Sequence, residues 1–493
     1  MTGKKFMDPR EDKLPSIKKN YIYNTIYQLL SIITPLITAP YTSRVLGADN
    51  IGIQSFTSSN TAFFTLIAVL GTATYGQREI SMARNDRKKS SRLFWEIELI
   101  SLISSVFVLA LWAVWVCMAT QYRIYYAVLT VQILAVAFDI SWYFGGFEKF
   151  GLIVARNAAI KIVGIIVLFA LVRDGDDLLL YMALLCITGL LGNLSMWLSL
   201  KGMLDKVSIK DIHPFSHLKN TIAYFIPSAA TSVYTILDKS MIGFITGSEA
   251  ENGYYEQAVK IIRMIQSVVF SLNTVMYARM SLLFSEGKIT EMKKKISDSY
   301  DFLLTLSIPV MFGLVAVSGN FVLWFFGEGF EMTGYLLCLL APLPAIVCIS
   351  NVLGSQYLTP SGQRVRSTKG ILAGAAVNVV LNLILIPQYG AAGAALGSVA
   401  AELVISLIYI YMSRSVVRIS QLLHMSVKKL AASLIMFGGI LLLTGTGLSG
   451  AAFTLVQFAV GAVIYIAAMF VLRDSFAITF LEWIKVKCLK NKS

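Results

Sequence analysis

Residues 20–52 read NYIYNTIYQLLSIITPLITAPYTSRVLGADNIG. The apolar run is long enough to cross a bilayer, which takes roughly 20 residues as a helix. Yet it carries Pro35 and Pro40, a polar stripe at helical spacing (Asn24, Gln28, Ser31, Thr38, Thr42), and Arg44 at its far end. Hydrocarbon tolerates such breaks and charges poorly, whereas a wet cavity accepts them. Residues 220–253, NTIAYFIPSAATSVYTILDKSMIGFITGSEAENG, repeat the pattern. Asn20 matches Asn220 and Gly47 matches Gly247 at one offset, and Gly52 matches Gly253 after one inserted residue. The second stripe is Tyr224, Ser228, Thr231, Thr235 and Asp238. Further on, Arg156 and Gly164 align with Arg366 and Gly374.

The rest of the chain fits a membrane protein. Of 493 residues, 56% are hydrophobic and 14% charged, with a mean hydropathy of +0.69. That composition excludes a disordered chain and argues against a water-soluble one. Fourteen spans are expected: 20–43, 51–75, 93–119, 124–146, 151–172, 177–200, 219–246, 253–282, 300–326, 332–358, 369–387, 391–413, 425–446 and 450–471. Thirty-four of the 42 lysines and arginines then fall on one side of the membrane. Basic loops mark the cytoplasm, so both termini are expected inside. The formal charge of +14 is thereby explained by topology and not by nucleic-acid binding. The charged start of the chain lacks the apolar core of a signal peptide.

The expected fold is an all-α polytopic membrane protein with two six-helix lobes in parallel pseudo-repeat, plus two C-terminal helices. Residues 1–19 form a cytoplasmic tail, 20–200 the N-lobe, 201–218 a cytoplasmic linker and 219–413 the C-lobe. Residues 414–471 hold spans 13 and 14, and 472–493 a second tail. Transporters built this way carry substrate between the lobes, and the stripes of spans 1 and 7 are expected to line that path.

Charges at membrane depth are the functional candidates. Lys161 lies midway along span 5, and Asp238 and Lys239 lie in span 7. Glu256, Lys260 and Arg263 share one face of span 8, being spaced i, i+4, i+7. Asp139 is in span 4 and Glu402 in span 12. The bland alternatives are snorkelling for Arg44, Arg123 and Arg173, and a plain intrahelical pair for Glu256–Lys260. An excess of base suits an anion: a lipid pyrophosphate, an acidic sugar or a small organic anion. Tyr27, Tyr41, Tyr143, Tyr234, Tyr254 and Tyr255 either stack on sugars or pack the interior. His213 and His217 lack an acidic partner for a metal site. The scattered cysteines read as free thiols. No nucleotide-binding or nucleophile motif occurs, and neither a cofactor, a metal nor catalysis is expected.

Six motifs carry a resemblance: PYTSRVLGADNIG (40–52), TYGQREIS (74–81), DISWYFGGFEKF (139–150), YTILDKSMIG (234–243), GYYEQAVKI (253–261) and GAAGAALGSVAAELV (390–404). In this order they resemble the Wzx-type oligosaccharide flippases of the multidrug/oligosaccharidyl-lipid/polysaccharide exporter superfamily. The resemblance covers about residues 17 to 412. It implies alternating access through a cationic cavity in a bacterial inner membrane. It further implies that an undecaprenyl-pyrophosphate-linked oligosaccharide passes from the inner to the outer leaflet, with a polysaccharide polymerase and chain-length machinery as partners. By motif position, similarity to lipid II flippases implies cavity roles for Arg44, Arg78 and Lys260. Lys161, Lys239 and Arg263 join them from the residue reading, with Asp139, Asp238 and Glu256 balancing charge or coupling ions. The sequence departs from the pattern at Ala278, where proline is expected, and in LTPSGQRVRSTKG (358–370). The rival readings are an organic-ion antiporter of the same superfamily, which calls for an acidic cavity, and a membrane polymerase, which calls for a large outer loop.

Overall fold

The computed structural model describes residues 17–445 and 447–490. Among them the regular structure is helical throughout. Contacts divide the chain into two compact units that part between Ser240 and Met241. The first holds α1 (Ile17–Val69), α2 (Thr72–Ala83), α3 (Arg87–Met118), α4 (Arg123–Ala137), α5 (Ser141–Gly146), α6 (Phe150–Leu171), α7 (Leu178–Leu198) and most of α8 (Leu218–Thr246). The side chains of Asn24, Tyr27, Gln28, Ser228, Thr231, Tyr234, Thr235 and Ala278 lie outside the described residues.

Within α1 the chain doubles back. Gly47 breaks the helix with φ 79° and ψ 173°, a conformation that only glycine adopts without strain. Before the break, α1 runs parallel to α6: Ser31 accepts a hydrogen bond from Lys161 at 3.1 Å, and Tyr41 Oη donates to the Val172 carbonyl at 2.6 Å. Just past the break, Asn50 Nδ2 reaches the Gly175 carbonyl at 2.8 Å. Asn60 then donates to Tyr126 at 2.9 Å, and the Ile67 carbonyl accepts from Ser104 at 3.0 Å. Two expected spans, 20–43 and 51–75, are therefore the arms of one kinked helix.

The expected span 124–146 is broken. α4 stops at Ala137 and α5 starts at Ser141, with the Asp139 carboxylate capping the Ser141 N–H at 2.9 Å. A break inside a membrane must find other partners for its backbone groups. α7 supplies them: Asn193 donates to the Ala135 carbonyl at 2.6 Å and Trp197 to the Phe138 carbonyl at 3.0 Å.

The second unit takes the end of α8 and then α9 (Glu249–Ser285), α10 (Ile289–Phe325), α11 (Glu331–Leu340), α12 (Leu343–Leu353), α13 (Arg364–Tyr389), α14 (Ala391–Met412), α15 (Ile419–Thr444), α16 (Ala451–Val471) and α17 (Ser475–Lys490). Its devices echo the first unit's. Gly247 turns the chain between α8 and α9 with φ 63°. The Glu251 carboxylate accepts from the Ala391 N–H at 2.7 Å, as Asn50 bonds the α6–α7 turn. The expected span 332–358 bends by 40° between α11 and α12, as 124–146 breaks at Asp139. α15 and α16 are fastened to α10 by Lys429, which is fully buried between Asp301 at 2.6 Å and Asp474 at 3.2 Å.

Ten helices among the described residues are long and apolar enough to cross a membrane, and eleven if the bent pair counts as one. The fourteen expected spans map onto these through two merged arms (20–43 and 51–75), and two further expected spans (219–246 and 253–282) coincide with α8 and α9. The outer faces carry exposed Val106, Phe107, Ile166, Leu191, Leu442 and Val471, as lipid contact demands.

Candidate functional site

In the first unit, two motifs interlock to build a wall. Gly76 of TYGQREIS lies under the Trp142 indole, where an added Cβ would come within 2.5 Å of the ring. Gly146 of DISWYFGG lies under Ile80, at 2.6 Å by the same measure. These contacts lock α2 against α5. Beside them opens a cavity of about 480 Å³, lined by Gln77, Asp139, Trp142, Arg156, Asn157 and Asn193, among others. Arg156 is held by the Gly192 carbonyl at 2.9 Å and by Asn157 Oδ1. Its guanidinium and the Asp139 carboxylate thus border one polar space. Arg156, which aligned with Arg366 in the sequence, was not among the expected cavity residues.

Of the expected cations in this unit, Lys161 is half-buried on α6 and tied to Ser31, one member of the α1 stripe. Thr38 and Thr42 return their hydroxyls to their own helix, bonding the carbonyls of Thr34 and Thr38 at 3.0 Å each, and Thr42 is buried. Arg44 is exposed, three residues before the Gly47 break. Arg78 is exposed and pairs with Glu79 at 2.7 Å. Asp238 is buried on α8 and Lys239 beside it is half-buried.

In the second unit, Lys260 and Glu256 form the intrahelical pair at 3.8 Å, both partly buried, while Arg263 on the same helix is exposed. Glu402 is buried on α14 and accepts from Ser350 at 3.4 Å. Tyr143 and Tyr255 belong to the interior, their hydroxyls bonding the Met203 carbonyl and Ser398. They offer no face for sugar stacking.

Two acidic residues of α3 went unnoticed inside its apolar run. Glu96 accepts from His213 N–H and Arg92 at 2.9 Å, and meets His217 Nε2 at 3.0 Å. His217 Nδ1 in turn meets the Tyr75 hydroxyl at 2.7 Å. The histidine pair that failed as a metal motif is thus part of a polar tie between α2, α3 and the start of α8. Glu98 is buried, and among the described residues neither of its oxygens has a hydrogen bond. The described residues contain no cluster of metal-ligating side chains.

This is the architecture of a polytopic helical membrane protein. Solved structures bear that out at the level of fold. A lipid II flippase, MurJ, in an inward closed conformation matches with a TM-score of 0.71 at 17% identity, over 93% of this chain and 99% of its own. An inward-facing multidrug resistance MATE family transporter of the MOP superfamily matches with a TM-score of 0.60 at 14% identity, over 82% and 99%. By sequence, a putative O-antigen transporter of Shigella dysenteriae is 24% identical over 397 residues, 79% of this chain and 98% of that protein. Residues 17–284 match the polysaccharide biosynthesis protein family, and the chain belongs to it. The resemblance to polysaccharide-pathway proteins read from the motifs agrees with that family.

Proposed function

We propose that this protein moves a lipid-linked oligosaccharide across a bacterial inner membrane for surface polysaccharide assembly. The observation that carries the reading is the near full-length likeness to an O-antigen transporter, in a chain that holds Lys161 at membrane depth against the α1 stripe. A cation in low dielectric grips a phosphate far better than one in water. The substrate class is an undecaprenyl-pyrophosphate carrier bearing a glycan. Lys161, Lys239, Lys260, Arg263 and Arg44 hold its pyrophosphate or acidic sugars, and Arg78 assists at the cytoplasmic mouth. Asp139, Asp238 and Glu256 offset these charges or couple an ion. The lipid tail stays in the bilayer while the two lobes alternate access, and a polymerase with its chain-length machinery takes the product.

A leaflet assay for lipid-linked oligosaccharide in depleted cells tests this. Labelled intermediates are expected to accumulate on the cytoplasmic leaflet, with surface polymer lost. Intermediates that reach the outer leaflet unpolymerised would overturn the reading. Lys161→Ala and Lys260→Ala are each expected to abolish surface polymer while the protein still inserts.

A further inference from the structure

Away from the candidate transport cavity, the start of α3 and the loop that follows α7 enclose a second space of about 780 Å³. Lys88, Lys89, Arg92 and Lys206 line it, with two carboxylates, Glu96 and Asp211, and the hydroxyl-bearing Ser208 and Ser216. Arg92 is engaged by Glu96. Lys88, Lys89 and Lys206 form no ion pair among the described residues. With four cations against two carboxylates, one of them engaged by Arg92, the hollow stays net basic and favours an anion.

The loop is built, not loose. Arg87 donates to the Gly202 carbonyl at 2.7 Å and pairs with Asp205 at 2.7 Å. Ser91 Oγ accepts from the Asp205 N–H at 2.9 Å. The Glu96 carboxylate holds both His213 and His217. These bonds fix the loop at both ends, so the basic hollow exists before any ligand arrives.

The rim decides the ligand. Ile209 is 87% exposed and Phe215 69% exposed, each on a short 3-10 turn of this loop. Large apolar side chains bared beside a basic pocket suit the boundary between headgroups and acyl chains. We propose that this pocket binds the phosphate of an anionic phospholipid headgroup, with Ile209 and Phe215 seated in the acyl region of the same leaflet. The positive-inside reading assigns that leaflet to the cytoplasm. The bound lipid braces the connection between α7 and α8, the segment that joins the two repeats.

The test is lipid retention by the full-length protein in detergent, read by native mass spectrometry with phosphatidylglycerol against phosphatidylcholine. Wild type is expected to retain phosphatidylglycerol selectively. K88Q/K89Q/K206Q is expected to retain it about a hundredfold less well, whereas K293Q/K294Q/K295Q, a basic cluster on α10, is expected to match wild type. Ser208→Trp, placed at the exposed rim, is a second variant expected to block the pocket without touching charge. I209S/F215S is expected to lose retention at least threefold while leaving inorganic pyrophosphate binding unchanged. Wild-type retention by both K88Q/K89Q/K206Q and Ser208→Trp would remove the pocket as a lipid site. Undiminished phosphatidylglycerol retention by I209S/F215S, with displacement by inorganic pyrophosphate, would make the ligand a free phosphate and overturn the lipid assignment.

Discussion

The hairpins α6–α7 and α13–α14 sit at matching places in the two repeats, yet they are packed by different rules. In α13–α14, glycine makes the contact. An added Cβ would come within 2.3 Å of Ile405 at Gly374, 2.5 Å of the Leu385 backbone at Gly393 and 2.3 Å of Asn382 at Gly397. In α6–α7 the same operation meets Ile160 at 3.1 Å at Gly192 and Thr188 at 3.3 Å at Gly164, and nothing within 4 Å at Gly189. Small residues at crossings let membrane helices approach closely. The C-terminal hairpin uses that contact for rigidity, while the N-terminal one leaves room for Arg156 and Lys161 and for the 480 Å³ cavity. One repeated scaffold thus supplies a stiff element in one unit and a polar wall in the other.

The largest expected effect concerns the stiff unit. Lys429 is buried between two carboxylates. Lys429→Met strands them facing each other, and breaking a buried pair this way costs about 3–5 kcal/mol. Thermal unfolding of the purified variant should show a large loss, with α15 and α16 released from α10. The exposed Arg78–Glu79 pair is the contrast: its loss is worth about 0–1 kcal/mol. A mild Lys429→Met would mean that the second unit does not depend on this clamp.

The glycine contrast gives the next effect. Gly393→Val drives a side chain into backbone, which cannot yield, and overpacking of this kind costs about 1–3 kcal/mol or more. Gly189→Ala enters open space inside a helix and should stabilise by about 0.5–1 kcal/mol. Equal melting shifts for the two variants would erase the packing difference between the hairpins.

How much of this was legible in the sequence follows from the physics of each signal. Gly47 and Gly247 stood out as an aligned pair, and both adopt positive φ, because turn geometry leaves a residue type behind. The motifs TYGQREIS and DISWYFGG were recognisable for the same reason: their glycines admit Trp142 and Ile80. The break in span 4 was hidden, since hydropathy averages over 138–140 and Asn193 and Trp197 repair the backbone from sixty residues away. The Lys429 clamp was not legible, because a charge count does not show which carboxylates a cation meets. Glu98 and the inward turn of Thr42 depend on which neighbour a helix face meets, and one helix's spacing does not encode that.

The smallest effect probes the tethers that make the two repeats alike. Asn50 bonds the Gly175 carbonyl in one unit, and Glu251 bonds the Ala391 N–H in the other. Both hold the turn of a hairpin to the helix that follows a glycine corner. They differ in charge: a neutral amide–carbonyl bond contributes about 0.5–1.5 kcal/mol, and one to a charged group about 1.5–3 kcal/mol. A carboxylate at the first residue of α14 also meets the positive end of that helix. Asn50→Ala should therefore cost about 1 kcal/mol and Glu251→Ala about 2 kcal/mol, both half-buried positions. Hydrogen exchange localises the loss: amides 172–178 should quicken in the first variant and 388–394 in the second. Because Glu251 anchors the more tightly packed hairpin, its removal tests whether glycine contacts alone keep α13 and α14 together. If exchange at 388–394 stays slow, the contacts suffice, and the tether at Glu251 serves only to set the turn.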